Sequence, residues 1–227
     1  MTTVPSPSTP YPPTIYNFVW PELNELSLQT IQFDTTFSDG SVEGRLQWNA
    51  NEGTLEVGLP GGSVVLQIGE EQLIRVRNTT GSLIPNGTAV YAAGASGNNL
   101  VVDLADTTID ATAIAILGLT TESIANNQFG YVTSFGLVRD LNTNGLGVGT
   151  RLFLGTAGSL TTVEPTAPNR KVNIGLVVVD DATNGIVFTR IRVVPRLDEL
   201  SDVYAPAPND GDKLTWVAAS SRWEAVP

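Results

Sequence analysis

The chain has 227 residues, 41% of them hydrophobic, with no cysteine, no histidine and a formal net charge of −11. That length can bury a core, while the missing residue types exclude disulfides, thiolate metal sites and histidine-based ligation or catalysis. The pI near 4.3, with no cluster of Lys or Arg along the sequence, argues against nucleic acid and acidic lipid as partners.

Residues 1–28 read as an extended Pro-rich N-terminal arm. Prolines at positions 5, 7, 10, 12 and 13 forbid helix and favour polyproline II, and almost nothing in "MTTVPSPSTPYPPT" can be buried. Such a pre-stiffened segment loses little entropy when it orders against a neighbouring subunit. Behind it, Tyr16, Phe18 and Trp20 alternate with Ile15, Asn17 and Val19, which predicts an extended piece with an aromatic face. A short helical turn is allowed over 21–27, with Pro21 at its first position. These three aromatics are candidate partner-binding residues. No basic-then-apolar leader and no apolar run of roughly 18–20 residues is present, so neither a signal peptide nor a membrane partner is expected.

Residues 29–77 form a β-hairpin region. "TIQFDTTF", "VEGRLQWN", "GTLEVGL", "SVVLQIG" and "QLIRVRN" are short alternating runs cut by glycine-containing turns. Leu46 and Trp48 share one face, Leu55 and Val57 share another, and "NANEG" joins the two runs as a hairpin. Residues 78–195 form the body. "RNTTG" and "IPNGT" are turn chemistry, "TAVYAAGA" and "NLVVDLA" follow as paired strands, and further strands are expected over 113–119 and 129–138. "VNIGLVVVDDATNGIVFTRIRVV" closes the body as a hairpin in which Val177 and Val179 face one way and Val178 the other. The fold class is therefore all-β, a β-sandwich or small β-barrel of Greek-key or jelly-roll type, with helix below about 10%.

Carboxylates are the only plentiful catalytic group. Asp103, Asp106 and Asp110 lie close together, and Asp180 and Asp181 sit at a hairpin tip, but their spacing matches no calcium loop and any acidic β protein offers such pairs. The serines lack a histidine to activate them, and Lys171 and Lys213 stand in polar contexts. "LPGGS" and "NGLGVG" lack the lysine and following helix of a phosphate loop. No catalytic, cofactor-binding or metal-binding residue is assigned, and the chain is not expected to be an enzyme.

Residues 196–227 form a small C-terminal unit. In "GDKLTWVAASSRWEAV", a two-residue turn at Ala219-Ser220 sets Trp216 opposite Trp223 and Leu214 opposite Ala225 on one face. Lys213, Thr215, Arg222 and Glu224 take the other face. A lone hairpin is marginal, so its tryptophan face must pack on Leu197, Leu200 and Val203 of the leader or on a neighbouring chain. Trp216 and Trp223 are the second pair of candidate partner-binding residues, and they would also serve as stacking platforms for a sugar.

"VRNTTGSLIPNGTAVY" and "LFLGTAGSLTTVEPTAPN", within residues 29–194, resemble a module of structural proteins in tailed-bacteriophage virions. "LDELSDV…NDGDKLTW…RWEAV" separately resembles a short unit that recurs in phage fibres, and here it occurs once. The resemblance implies a virion part, assembled in the host cytoplasm. It fits a homotrimeric capsid decoration, or cement, protein bound to the major capsid protein, or a fibre or tail adaptor contacting other virion proteins.

Overall fold

The computed structural model describes residues 31–36, 40 and 42–227. The expected arm over 1–28 and the candidates Tyr16, Phe18 and Trp20 lie outside these residues. The chain divides into two units, Met1–Asp34 and Thr35–Pro227, and the fold described below is that of the second.

The protein is all-β. Leu46–Asn49 (β1), Thr54–Gly58 (β2) and Val65–Gln67 (β3) form a small antiparallel sheet. Gln72–Asn78 (β4), Ala89–Ser96 (β5), Asn99–Leu104 (β6), Ile116–Thr120 (β7) and Phe129–Leu141 (β8) then close a five-stranded barrel, because β8 pairs with both β4 and β7. Four of its five strand pairs are antiparallel. The β4–β6 pair is parallel, matching Val76 with Leu100, a pairing that strand alternation alone does not reveal.

The expected strand over 113–119 starts later than the alternation suggests. Asp110–Ile114 form a short helix (α1), and β7 begins only at Ile116. Thr112 Oγ1 accepts from the Asp106 N–H at 3.0 Å and holds this turn in place. The barrel also takes its first strand, β4, from the segment read as the N-terminal hairpin region.

Two connections hold the barrel together reciprocally. Ile84 N–H donates to the Ile124 carbonyl at 3.0 Å and Ile124 N–H donates back at 2.8 Å; Gly87 N–H reaches Thr120 and Asn127 N–H reaches Asn78, each at 2.8 Å. Gly87 and Asn127 both adopt left-handed backbone, φ 75° and 63°, a conformation that Gly takes without penalty and Asn tolerates. "TTGSLIPNG" and "TTESIANN" therefore do the same job in the two halves of the barrel. Between them Val76, Ile84, Val90, Val102, Ile124 and Val132 fill its interior.

The far half of β8 carries a second layer. There it pairs with Gly185–Val193 (β12), which pairs with Val172–Val179 (β11), then Arg151–Leu154 (β9) and Leu160–Thr161 (β10). Leu119 and Ala89 from the barrel wall, Val138 and Leu141 from β8, and Leu152, Ile174 and Val187 from the outer strands make a second core. Hairpin alternation breaks at one point. A register shift between Val177 and Val179 leaves Val177 buried and both Val178 and Val179 exposed, so Val179 does not share the face of Val177.

In the small sheet the polarity is inverted. Leu46, Trp48, Leu55, Val57 and Leu66 line one face through the registers Leu46↔Val57, Trp48↔Leu55 and Val57↔Leu66. The other face carries the buried Gln47, Glu56 and Gln67 towards the barrel. There Arg139 of β8 donates to Gln67 at 2.8 Å and to the buried Glu71 at 2.7 Å, while Glu56 accepts from Gln47 and Asn49, both at 2.7 Å. These hydrogen bonds seat the sheet on the barrel beside the buried Val64, just ahead of β3.

Candidate interaction surfaces

The C-terminal unit contains both described tryptophan candidates. Lys213–Val217 (β14) and Arg222–Val226 (β15) form the expected hairpin in the expected register, Trp216↔Trp223 and Leu214↔Ala225. The connection differs. It is a four-residue loop, Ala218–Ser221, in which Ser220 N–H bonds the Val217 carbonyl and Ser221 takes φ 52°. The two-residue turn fails because neither Ala219 nor Ser220 adopts the positive φ that tight hairpin turns require.

The two indoles meet edge to face, centroids 5.7 Å apart and planes at 68°. They stay open to solvent, 49% and 40% exposed, beside Leu214 at 41%. A third strand, Val203–Tyr204 (β13), pairs parallel with β15, and Trp223 N–H donates to Asp202 at 2.7 Å. On the opposite face Arg222 lies 4.0 Å over the Tyr204 ring and donates to Glu224 at 2.9 Å. Leu197 and Leu200 of the leader remain exposed, so they do not close over the tryptophan face.

The unit is fastened by one buried cation. Arg170 has 1% of its side chain exposed and donates to both oxygens of Asp110, at 2.7 and 3.2 Å, and to both oxygens of Glu199. Glu199 ends a 3-10 turn, Leu197–Glu199, at the start of the unit, and it also accepts from the Arg196 N–H at 2.8 Å. These bonds, the one from Arg170 first, pull the Glu199 carboxyl down to about 2. The same guanidinium lowers Asp110, and the two carboxylates in return raise Arg170. Nothing in the sequence marks Arg170 as different from its neighbours, and the clamp exists only once the fold brings Asp110 and Glu199 to it.

Three further aspartates are occupied in turns. Asp106 accepts from Thr108 and from the Ala157 N–H at 2.9 Å, and the Thr108 hydroxyl above all holds its carboxyl low. Asp180 accepts from Gly145 and Gly147, at 2.8 and 3.0 Å, and Asp181 from Thr183 and Asn184. These bonds order loops.

The fold also gathers cations that are scattered in sequence. Arg151 on β9 and Arg190 and Arg192 on β12 lie on the outer face of the second layer, around a groove of about 280 Å³ floored by Leu176 and Phe188. Phe135 of β8 meets Phe188 edge to face at 5.3 Å. Among the described residues, none of these three arginines has a carboxylate at ion-pair distance. The expectation of no basic cluster holds along the sequence and fails in space, because antiparallel pairing sets Leu176 between Arg151 and Phe188.

No protein-family model matches the chain. No curated protein matches it either. Among solved structures it is similar to the crystal structure of the head fiber gp8.5 N base in bacteriophage phi29, at 11% identity and a TM-score of 0.34, over 55% of this chain and 99% of that one. A likeness at that level carries no functional argument.

Proposed function

We propose that the chain is a non-enzymatic structural protein of a bacteriophage virion, working through surface contact rather than chemistry, and most readily a capsid decoration protein that binds between major capsid subunits. The observation that carries this reading is the C-terminal unit: a tryptophan pair left half-open on a small sheet, clamped to the barrel by a buried arginine. Aromatic side chains presented on a rigid support are what protein interfaces use as anchors. The resemblance of "VRNTTGSLIPNGTAVY" and "LFLGTAGSLTTVEPTAPN" to virion modules supports the setting. An interface near the standard size of roughly 1,600 Å², repeated by symmetry, gives a shell large avidity from modest contacts.

A fibre or tail adaptor is the second reading, favoured by the resemblance of "LDELSDV…NDGDKLTW…RWEAV" to a unit of phage fibres. In that role Trp216 and Trp223 would meet a receptor or glycan. Locating the protein in imaged particles separates the two. Density repeated over the joints of the capsid lattice supports decoration, density at a single vertex or on the tail supports the adaptor, and absence from particles rejects both. W216A/W223A is expected to fold and to lose incorporation; unchanged incorporation would remove the tryptophan face from the mechanism.

A further inference from the structure

The groove on the outer sheet runs against the charge of the molecule. The chain holds 23 acidic residues against 12 basic ones, yet Arg151, Arg190 and Arg192 sit together with no carboxylate among the described residues at ion-pair distance; Glu164, which feels the charge of Arg151, is itself bonded to Lys171. They line a groove with an apolar floor of Leu176, 39% exposed, and the half-buried Phe188. Arginine with phenylalanine and leucine, and no lysine, is the composition of a protein interface core rather than of a polyanion track. Such a site calls for a partner that brings carboxylates and short apolar side chains together.

The chain's own C-terminal leader has that chemistry. Leu197 and Leu200 are 54% and 41% exposed, and Asp198 and Asp202, both exposed, have no ion-pair partner among the described residues. The neighbouring Glu199 is taken by Arg170, so the leader is a braced segment whose remaining carboxylates point to solvent. One surface has unmatched cations around apolar groups; the other has unmatched anions around apolar groups.

We propose that the groove seats the C-terminal leader of a second copy of this chain, with Leu197 and Leu200 against Leu176 and Phe188, and Asp198 and Asp202 among the three arginines. The contact is heterologous, groove to leader, and it leaves an open chain of copies with one free groove at one end and one free leader at the other until a ring closes. The inference rests on reading the chain as an assembling structural protein and gives that assembly its interface.

Sedimentation velocity of the full chain tests it. The wild type should associate at about 0.1 M salt and weaken towards about 1 M, where the Debye length falls from roughly 10 to 3 Å. R190D/R192D and D202R should each lower the association constant by roughly tenfold or more, and R190D/R192D/D198R/D202R should regain it, because the charges are exchanged as a set. R190Q/R192Q serves as the milder variant if the reversal disturbs folding, and circular dichroism must match the wild type throughout. A monomeric wild type, a wild-type mass in R190D/R192D, or a fourfold variant no stronger than R190D/R192D and D202R overturns the proposal. So does a monomeric wild type that binds an oligoglutamate peptide or polygalacturonate through these arginines, which would assign the groove to a foreign acidic protein or glycan. Particle incorporation by a protein that is monomeric in solution would overturn this interface while leaving the virion role standing.

Discussion

Arg170 shows why a charge can be buried without being a catalytic group. Its guanidinium is fully covered, yet the carboxylates that neutralise it, Asp110 and Glu199, are 42% and 39% exposed, so the desolvation cost falls on one partner. Removing the two sides should therefore have unequal effects. R170M takes away the buried charge and leaves two carboxylates that water can reach; the lost charge-assisted bonds cost about 1–3 kcal/mol. D110N/E199Q leaves the guanidinium buried without a counter-charge and is expected to lower the denaturation midpoint further than R170M does. Equal midpoints for the two variants would mean that the clamp contributes by packing alone. Gly175 makes a second residue-scale case. It sits at a register shift of β11 where an added Cβ would fall inside van der Waals contact of the Phe188 carbonyl oxygen. Because the obstacle is backbone, the clash cannot be relieved by a rotamer change, and G175A should cost about 3 kcal/mol or more in urea denaturation.

At the scale of elements, the C-terminal sheet hangs on a titratable contact. The Glu199 carboxyl is held at about 2 in the folded chain against an ordinary 4.5, chiefly by its bonds to Arg170. Its folded value lies below its unfolded value, so this stabilisation is complete above about pH 4.5 and is lost as the pH falls towards 2. Fluorine NMR of fluorotryptophan-labelled protein should show Trp216 and Trp223 moving together over that interval, with the movement shifted or abolished in E199Q; resonances that follow the same acid titration in E199Q would place the titrating group elsewhere. This unit also shows what the sequence can and cannot carry. The hairpin register was legible because Leu214, Trp216, Trp223 and Ala225 alternate with polar residues across a short loop. The partner strand Val203–Tyr204 was not, since two residues have no period. The barrel strands were legible one by one from alternation and turn residues, while the parallel β4–β6 pair depends on contacts far apart in the chain. The arginine groove was hidden for the same reason. It exists only after β9, β11 and β12 are laid side by side.

At the scale of the whole molecule, the described strands have three relationships to one another, and these set how stability is shared. The barrel interior and the second core draw on the same strands: β5 supplies Val90 to one and Ala89 to the other, and β8 supplies Val132 to one and Val138 to the other. Neither core can open without exposing the strand that the other needs, so the two should melt as one cooperative unit. The small β1–β3 sheet touches this body through Arg139, Gln67 and Glu71, and the C-terminal unit through Glu199 on Arg170 and Arg196 on Asp110, while neither small sheet supplies a residue to the two apolar cores. Core truncations should therefore be read out in a common transition. I84A, inside the barrel, and L152A, in the outer core, each remove a side chain that is 1% exposed and should each cost about 2–5 kcal/mol. In scanning calorimetry both should move the same main peak, whereas W216A should leave that peak in place and shift only the C-terminal tryptophan signal. Two peaks that respond separately, one to I84A and the other to L152A, would show that the barrel and the second layer fold independently and that the long strand β8 does not couple them.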